Sequence, residues 1–303
     1  MGSGKVLCTG TLTIITPYFY EMINNNLDGF SKICLFYRQA DWHILLREAV
    51  KPLLQLELMK GIVFSIYFSR FQGDRVVLLL NKPEQSSEIQ LLIRLFRSYI
   101  INKPSFTEPI QYPLDGFFMD YPNNSVFTDI NDNRKSEKES DETRLLRMRL
   151  AESILKFFKI EDISDIDTIA ICMHLGAISG IYTNLPDAVK MAETISLSNN
   201  RNTAYDNFEH GKVIDSAFEE NADEIFCLIH NIWTVNFEKT ELEWLTSWVC
   251  ECRQYFSNSD KSLIYVTRMV YESLGFEDSR LTECYIKNVM KMLSRFKTDS
   301  LNL

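Results

Sequence analysis

The stretch that decides the fold runs from Trp42 to Leu80, WHILLREAVKPLLQLELMKGIVFSIYFSRFQGDRVVLLL. From Trp42 to Lys60 its apolar residues recur at helical spacing, which predicts an amphipathic helix with a kink at Pro52. The period then changes. IVFSIYFSRF (Ile62 to Phe71) and DRVVLLLN (Asp74 to Asn81) are rich in β-branched and aromatic residues around a short turn holding Gly73, and predict two paired strands. ICLFYR (Ile33 to Arg38) supplies a strand before this stretch. After it, a helix is predicted from about Glu84 to Ile101 and one more strand at LDGFFMD (Leu114 to Asp120). Strand, helix, strand, strand, helix, strand is the split βαβ order, in which helices cover one face of a mostly antiparallel sheet. The expected class is α+β, with a ferredoxin-like part followed by a largely helical layer.

Between Asp120 and Glu142 the chain turns polar, and NDNRKSEKESDE is too charged to order itself by burial. Beyond it helical periodicity dominates, at roughly Thr143 to Lys159, Ile163 to Ile181, Pro186 to Leu197, Gly211 to Trp233, Lys239 to Phe256, Asp260 to Leu274 and Asp278 to Phe296. The expected organisation is an α+β part over residues 1–120, a mobile loop over 121–142 and a helical part over 143–303 packed on the first as one unit. No internal repeat is visible.

With 303 residues, 46% apolar and 12% aromatic, the chain buries a substantial core. Lys plus Arg total 32 against 41 Asp plus Glu, and the net charge of -9 argues against nucleic acid or an anionic membrane as partner. The seven cysteines (Cys8, Cys34, Cys172, Cys227, Cys250, Cys252 and Cys284) are an odd number with no repeated spacing, which reads as reduced thiols in a cytoplasmic protein. The start, MGSGKVLCTGTLTIITPYFY, has no secretory arrangement, and no apolar run approaches membrane-spanning length. A soluble protein is expected, its oligomeric state open between monomer and homodimer.

Much chemistry is missing from the motifs. His43, His174, His210 and His230 lie far apart, outside any HExxH or CxxC arrangement, so no metal site is expected. GSGK at Gly2 to Lys5 lacks the strand, spacing and helix of a phosphate loop. A nucleophile elbow, kinase motifs and a dinucleotide fingerprint are absent as well, and no cofactor is expected. Two basic groupings stand out, Arg94 with Arg97 and Lys103, and Arg144 with Arg147 and Arg149. Each places cations on one helix, where an acidic peptide can be clamped, although such runs also serve as solvated faces. Near the C-terminus, SLIYVTRMVYESLGFEDSRLTE (Ser262 to Glu283) gathers Tyr265, Thr267, Arg268, Tyr271 and Glu272 within two helical turns, a spacing equally typical of core packing.

The Trp42 to Leu80 stretch resembles the start of the C-terminal domain of lantibiotic dehydratases and thiopeptide biosynthesis proteins. That family has a helix ending in Pro-Leu-Leu, a strand ending in Phe-Ile-Arg-Tyr, a Gly turn and a His-Leu-Arg-Leu-Arg strand; KPLLQL, FSRF and GDRVVLLL stand in those places, with Arg70 at the first arginine. Ser262 to Glu283 is similar to the family's closing helix. Together the two segments cover about a fifth of the chain. Members that eliminate glutamate from glutamylated Ser and Thr use arginines and a histidine, and here that strand reads Arg75, Val76, Val77, Leu78, Leu79 while the closing helix has Thr267, Arg268, Met269. A glutamyl carboxylate loses its bidentate partners and the reaction its acid/base, which argues against elimination.

The resemblance therefore implies the stand-alone branch, the pyridine synthases of thiopeptide antibiotics. It implies a formal [4+2] cycloaddition of two dehydroalanines in a ribosomal precursor peptide, with loss of water and of the leader peptide. Tyr265 and Tyr271, with Ser259 and Thr267 after them, are the expected proton-handling groups, because they lie in or beside the helix carrying the relatives' histidine. His43 and Arg70 are expected to position substrate, and Arg94, Arg97, Arg144 and Arg147 to meet the leader. Two other functions remain in view: a glutamate-eliminating subunit of a split dehydratase, and a non-catalytic peptide-binding scaffold offering a sheet edge.

Overall fold

In a computed structural model of the chain, the described residues are 31–70, 72–106, 121–128, 140–158, 166–199, 209–234, 243–258, 262–276 and 279–296. Four strands, β1 (Ser31–Phe36), β2 (Phe64–Ser69), β3 (Arg75–Leu80) and β4 (Ser125–Phe127), form one antiparallel sheet in the order β2-β3-β1-β4. β1 is followed by α1 (residues 42–54) and β3 by α2 (Ser87–Asn102), so two strand-helix-strand units interlock, as in a ferredoxin-like sheet. β2 and β3 pair with Phe64 opposite Leu80 and Ser69 opposite Arg75, joined by a turn in which Gln72 and Gly73 both take positive φ.

The strand alternation sorts side chains onto two faces. Ile33, Leu35, Ile66, Phe68, Val76, Leu78 and Leu80 enter the main core with Ile89, Leu92, Ile93, Phe96 and Ile100 of α2. Cys34, Phe36 and Val77 form a second small cluster on the opposite face, with Tyr67, Tyr121 and Phe127. Arg75 points to that face as well, 1% exposed, its guanidinium carbon 5.7 Å from the Phe36 ring centre.

Three elements depart from the sequence reading. Helix α1 continues past Pro52 to Leu54, with the turn Leu46–Val50 widened to a π turn just before the proline, whose missing N–H cannot bond the carbonyl four residues back. The strand read at LDGFFMD lies outside the described residues, and β4 comes instead from the stretch expected to be a polar loop. That stretch also supplies the Ser140 cap, whose Oγ accepts from the Thr143 N–H at 3.3 Å and opens α3 (Asp141–Phe157). The long helix expected from Gly211 to Trp233 is two helices, α6 (Glu209–Glu220) and α7 (Ala222–Thr234), divided at Asn221. The Asn221 side-chain amide donates to the Ala217 carbonyl at 2.8 Å, the local competition that makes asparagine a poor helix interior.

The helical part centres on α4 (Ile166–Ile181), buried along nearly its whole length beside α5 (Leu185–Asn199), α8 (Glu243–Asn258), α9 (Leu263–Ser273) and α10 (Ser279–Arg295). Gly176 and Gly180 lie one turn apart on the face of α4 against α8. A Cβ at Gly176 would meet Trp248 Cδ1 at 2.8 Å, and one at Gly180 would meet Cys252 Cβ at 2.7 Å and the Arg253 nitrogen at 3.1 Å. That close approach lets Trp248 Nε1 donate to the Met173 carbonyl at 2.8 Å. Gly180→Ala is expected to cost about 2 kcal/mol, because backbone rather than a pliable side-chain tip must yield. Urea unfolding of the variant beside the wild type measures it. Among the described residues no single helix is long and apolar enough to cross a membrane.

Candidate active site

The two parts of the molecule meet at the end of β2. Phe68 stacks on Trp42 at 4.8 Å between ring centres and meets Phe158 edge-on at 6.4 Å. From the helical side Gly275, at φ +87°, abuts it: a Cβ there would lie 3.1 Å from the Phe68 Cβ. A glycine is required twice over, by the left-handed backbone and by the close approach. The end of α9 is thereby fixed beside the end of β2; in sequence His43 follows Trp42 directly and Arg70 lies two residues after Phe68.

Helix α9 starts at Ser262, whose Oγ accepts from the Tyr265 N–H at 3.4 Å. Val266, Met269 and Val270 bury one face, while Ile264, Arg268 and Glu272 face solvent. Thr267 and Tyr271, one turn apart, are buried with the apolar face, and Tyr265 is half-buried against the core. The Tyr271 ring packs on Phe276 at 5.2 Å and Tyr285 at 5.7 Å. Its hydroxyl lies 3.2 Å from Nδ1 of His174, which comes from the middle of α4 and is fully buried.

Burial holds this pair in its neutral forms. It pushes the Tyr271 phenol well above its ordinary range, helped by Tyr285 and Asp167, and pushes the His174 imidazole down to about 3. His174 Nε2, and Thr267 Oγ1 one helical turn before Tyr271 in sequence, are buried with no hydrogen-bond partner among the described residues. Most buried polar groups are satisfied, so each of these two atoms is an exception to the general pattern. The protonated phenol and the neutral imidazole share one hydrogen bond, and the same burial makes the phenol a weaker acid and the imidazole a weaker base than in water.

By sequence spacing His174 is one of four scattered histidines. The signal for it was its setting, a lone imidazole in the apolar run IAICMHLGAISG, where only a specific partner makes burial tolerable. Among the other expected residues, Ser259 lies outside the described residues, His43 is half-buried and Arg70 is exposed. The two basic groupings differ. Arg94 and Arg97 are exposed on α2, whereas Arg144 and Arg147 are half-buried on α3. Arg144 pairs with Asp141 at 3.3 Å, and their neighbour Arg149 pairs with Glu152 at 2.9 Å and lies 3.3 Å from Glu251 without the geometry of a hydrogen bond. Lys103 is held by Glu48 at 2.6 Å. The expected residues thus fall into Thr267, Tyr271 and the half-buried Tyr265 on α9, the separate His43 and Arg70, and two basic groupings on different helices.

No family model matches the chain, and no curated protein matches it. Solved structures do. The pyridine synthase TbtD from thiomuracin biosynthesis superposes with a TM-score of 0.64 over 89% of this chain and 99% of its own, at 10% sequence identity. The chain has the fold of a pyridine synthase. The tRNA-dependent lantibiotic dehydratase MibB from Microbispora sp. 107891 superposes with a TM-score of 0.51, also at 10% identity, over 90% of this chain but 28% of the dehydratase. The pyridine-synthase fold therefore accounts for this chain and for nearly all of TbtD, while it corresponds to a limited portion of MibB.

Proposed function

We propose that this chain is a pyridine synthase, joining two dehydroalanines of a ribosomally made precursor peptide by a formal [4+2] cycloaddition. One observation carries the reading: the superposition on TbtD extends over 89% of one chain and 99% of the other. Against glutamate elimination stand Val77, buried in the small cluster on the second sheet face, and Leu79, which offer no guanidinium to a glutamyl carboxylate.

The reaction asks little covalent help of the protein. One amide tautomerises to its iminol, giving a 2-azadiene. Two new bonds to the second dehydroalanine close a six-membered ring that still carries the former carbonyl oxygen as hydroxyl. Water leaves, and loss of the leader as its carboxamide then makes the ring aromatic. Bringing two alkenes of a floppy peptide into contact supplies much of the acceleration, several kcal/mol by the usual scale of pre-organisation. The remainder is proton traffic to and from the amide, the hydroxyl and the leaving nitrogen.

Tyr265, Thr267 and Tyr271 are the groups assigned to that traffic, with His174 as the positioning residue that holds the Tyr271 hydroxyl. Support comes from the buried contact of the phenol with the imidazole and from the unsatisfied Thr267 hydroxyl one turn away on the same helix. Arg70, exposed after β2, and His43, half-buried in α1, are assigned to the peptide itself. No cofactor enters the scheme. The test is to incubate the purified protein with a leader-bearing peptide containing azoles and two dehydroalanines and to follow mass. A cyclic product lighter by water and leader is expected; a peptide of unchanged mass overturns the proposal.

A further inference from the structure

We propose that the outer face of α2, from Arg94 to Ile101 and on to Phe106, is a docking surface for an acidic peptide segment that carries apolar side chains. The identity of that segment as part of the substrate peptide rests on the synthase reading; the surface and its chemistry do not.

The inner face of α2 is fully committed to the core through Ile89, Leu92, Ile93, Phe96 and Ile100. The outer positions Arg94, Arg97 and Ile101 recur at helical spacing and are all exposed. In a chain of net charge -9 this stripe is basic. The helix has one acid, Glu88, and it turns aside to Lys82 at 3.2 Å. Among the described residues neither Arg94 nor Arg97 makes an ion pair, in contrast to Arg144 and Arg149.

Ile101 is 76% exposed and Phe106 66%, two large apolar side chains in solvent within six residues. The backbone between them is held in place. Tyr37 donates its hydroxyl proton to the Lys103 carbonyl at 2.8 Å, the Arg38 N–H donates to Ser105 Oγ at 3.2 Å, and Asn124 receives the Ser105 N–H at 2.7 Å and returns a bond to the Ser105 carbonyl at 3.0 Å. Arg38 also reaches the Phe106 carbonyl at 3.4 Å. Ser105 is buried by this network, so the backbone that carries the exposed Phe106 is held in place. Exposed apolar side chains at and just beyond the end of a helix that carries unpaired guanidiniums match a partner that brings both carboxylates and apolar groups. From Arg94 to Ile101 the helix rises about 10 Å, the reach of about three extended residues, so a short segment spans it.

The experiment is fluorescence anisotropy with the full chain and a short labelled peptide of interspersed Glu, Leu and Ser, with a Lys, Leu and Ser peptide as control. The acidic peptide is expected to bind and the basic one not, with affinity falling as salt rises. Arg94→Glu with Arg97→Glu is expected to weaken binding about tenfold or more, at an unchanged melting temperature, whereas reversing the exposed Arg253 on α8 leaves it unaltered. Ile101→Ala with Phe106→Ala is expected to weaken binding without changing its salt dependence. Equal binding by the charge-reversed protein, or equal weakening by Arg253→Glu, overturns the docking surface. Pyridine formation by a chain that fails these tests leaves the synthase reading standing, and selective binding by a chain that forms no product leaves the docking surface standing alone.

Discussion

Lowering the pH from 6.5 to 4.5 is expected to strip stability from this protein steadily, and His174→Leu is expected to remove much of that dependence. The His174 imidazole falls from an ordinary value of 6.5 to about 3 on burial. Its folded form therefore resists a proton that the unfolded chain accepts. Stability from the neutral imidazole is complete above pH 6.5 and is lost as pH falls toward 3, at about 1.4 kcal/mol per pH unit within that window. Over the whole window the loss approaches about 5 kcal/mol, comparable with the total stability of many domains. Glu219, held at about 2 by Arg295 and Lys291, loses its contribution further down, below the ordinary carboxylate range, and so does not contribute to the change between pH 6.5 and 4.5. Glu251, pushed up by burial, acts in the opposite sense, and its effect is common to both proteins. Urea midpoints across this range check the expectation. Parallel profiles for the wild type and His174→Leu would show that the imidazole is not the group responsible.

Tyr271→Phe is expected to lower the rate of pyridine formation about a hundredfold, the usual scale for removing one positioned proton donor. The same change leaves His174 Nδ1 without its partner at 3.2 Å, a structural cost of about 1–2 kcal/mol. The two effects separate in one experiment. A purely structural role predicts a lower unfolding midpoint and normal turnover at low temperature, whereas the proton-handling role predicts slow turnover by fully folded protein. Thr267→Val, which replaces a buried hydroxyl with no hydrogen-bond partner among the described residues, is expected to leave stability unchanged or raise it while reducing turnover, the opposite pairing to a packing mutation.

The sheet was legible because its signals are local. The period-two runs FSIYFS and RVVLLL around Gly73 announce a hairpin, and the helices on either side announce the crossovers that force the interlocked order. The helical layer was legible from apolar periodicity, and only the division at Asn221 and the π turn before Pro52 escaped, each set by a single hydrogen-bonding defect. β4 escaped because three residues in a polar stretch carry almost no periodic signal, and they become a strand by pairing with the edge of β1. The candidate site was half legible. Tyr271 and Thr267 share a helix face that spacing reveals, but His174, the partner of Tyr271, is 97 residues away from it, and only packing joins the two. Arg94 and Arg144 read alike as members of basic runs. The difference between an open guanidinium and one paired with Asp141 depends on which face each helix buries.

The most direct test of the central claim is the chemical state of the leader after the purified protein has acted on a peptide bearing two dehydroalanines. Aromatisation by the proposed route must release the leader as a C-terminal carboxamide, in equal amount to a pyridine-containing product, and mass spectrometry of the released fragment is predicted to show both. A leader still attached to its core, or a leader released as a free acid by hydrolysis, would contradict the assignment.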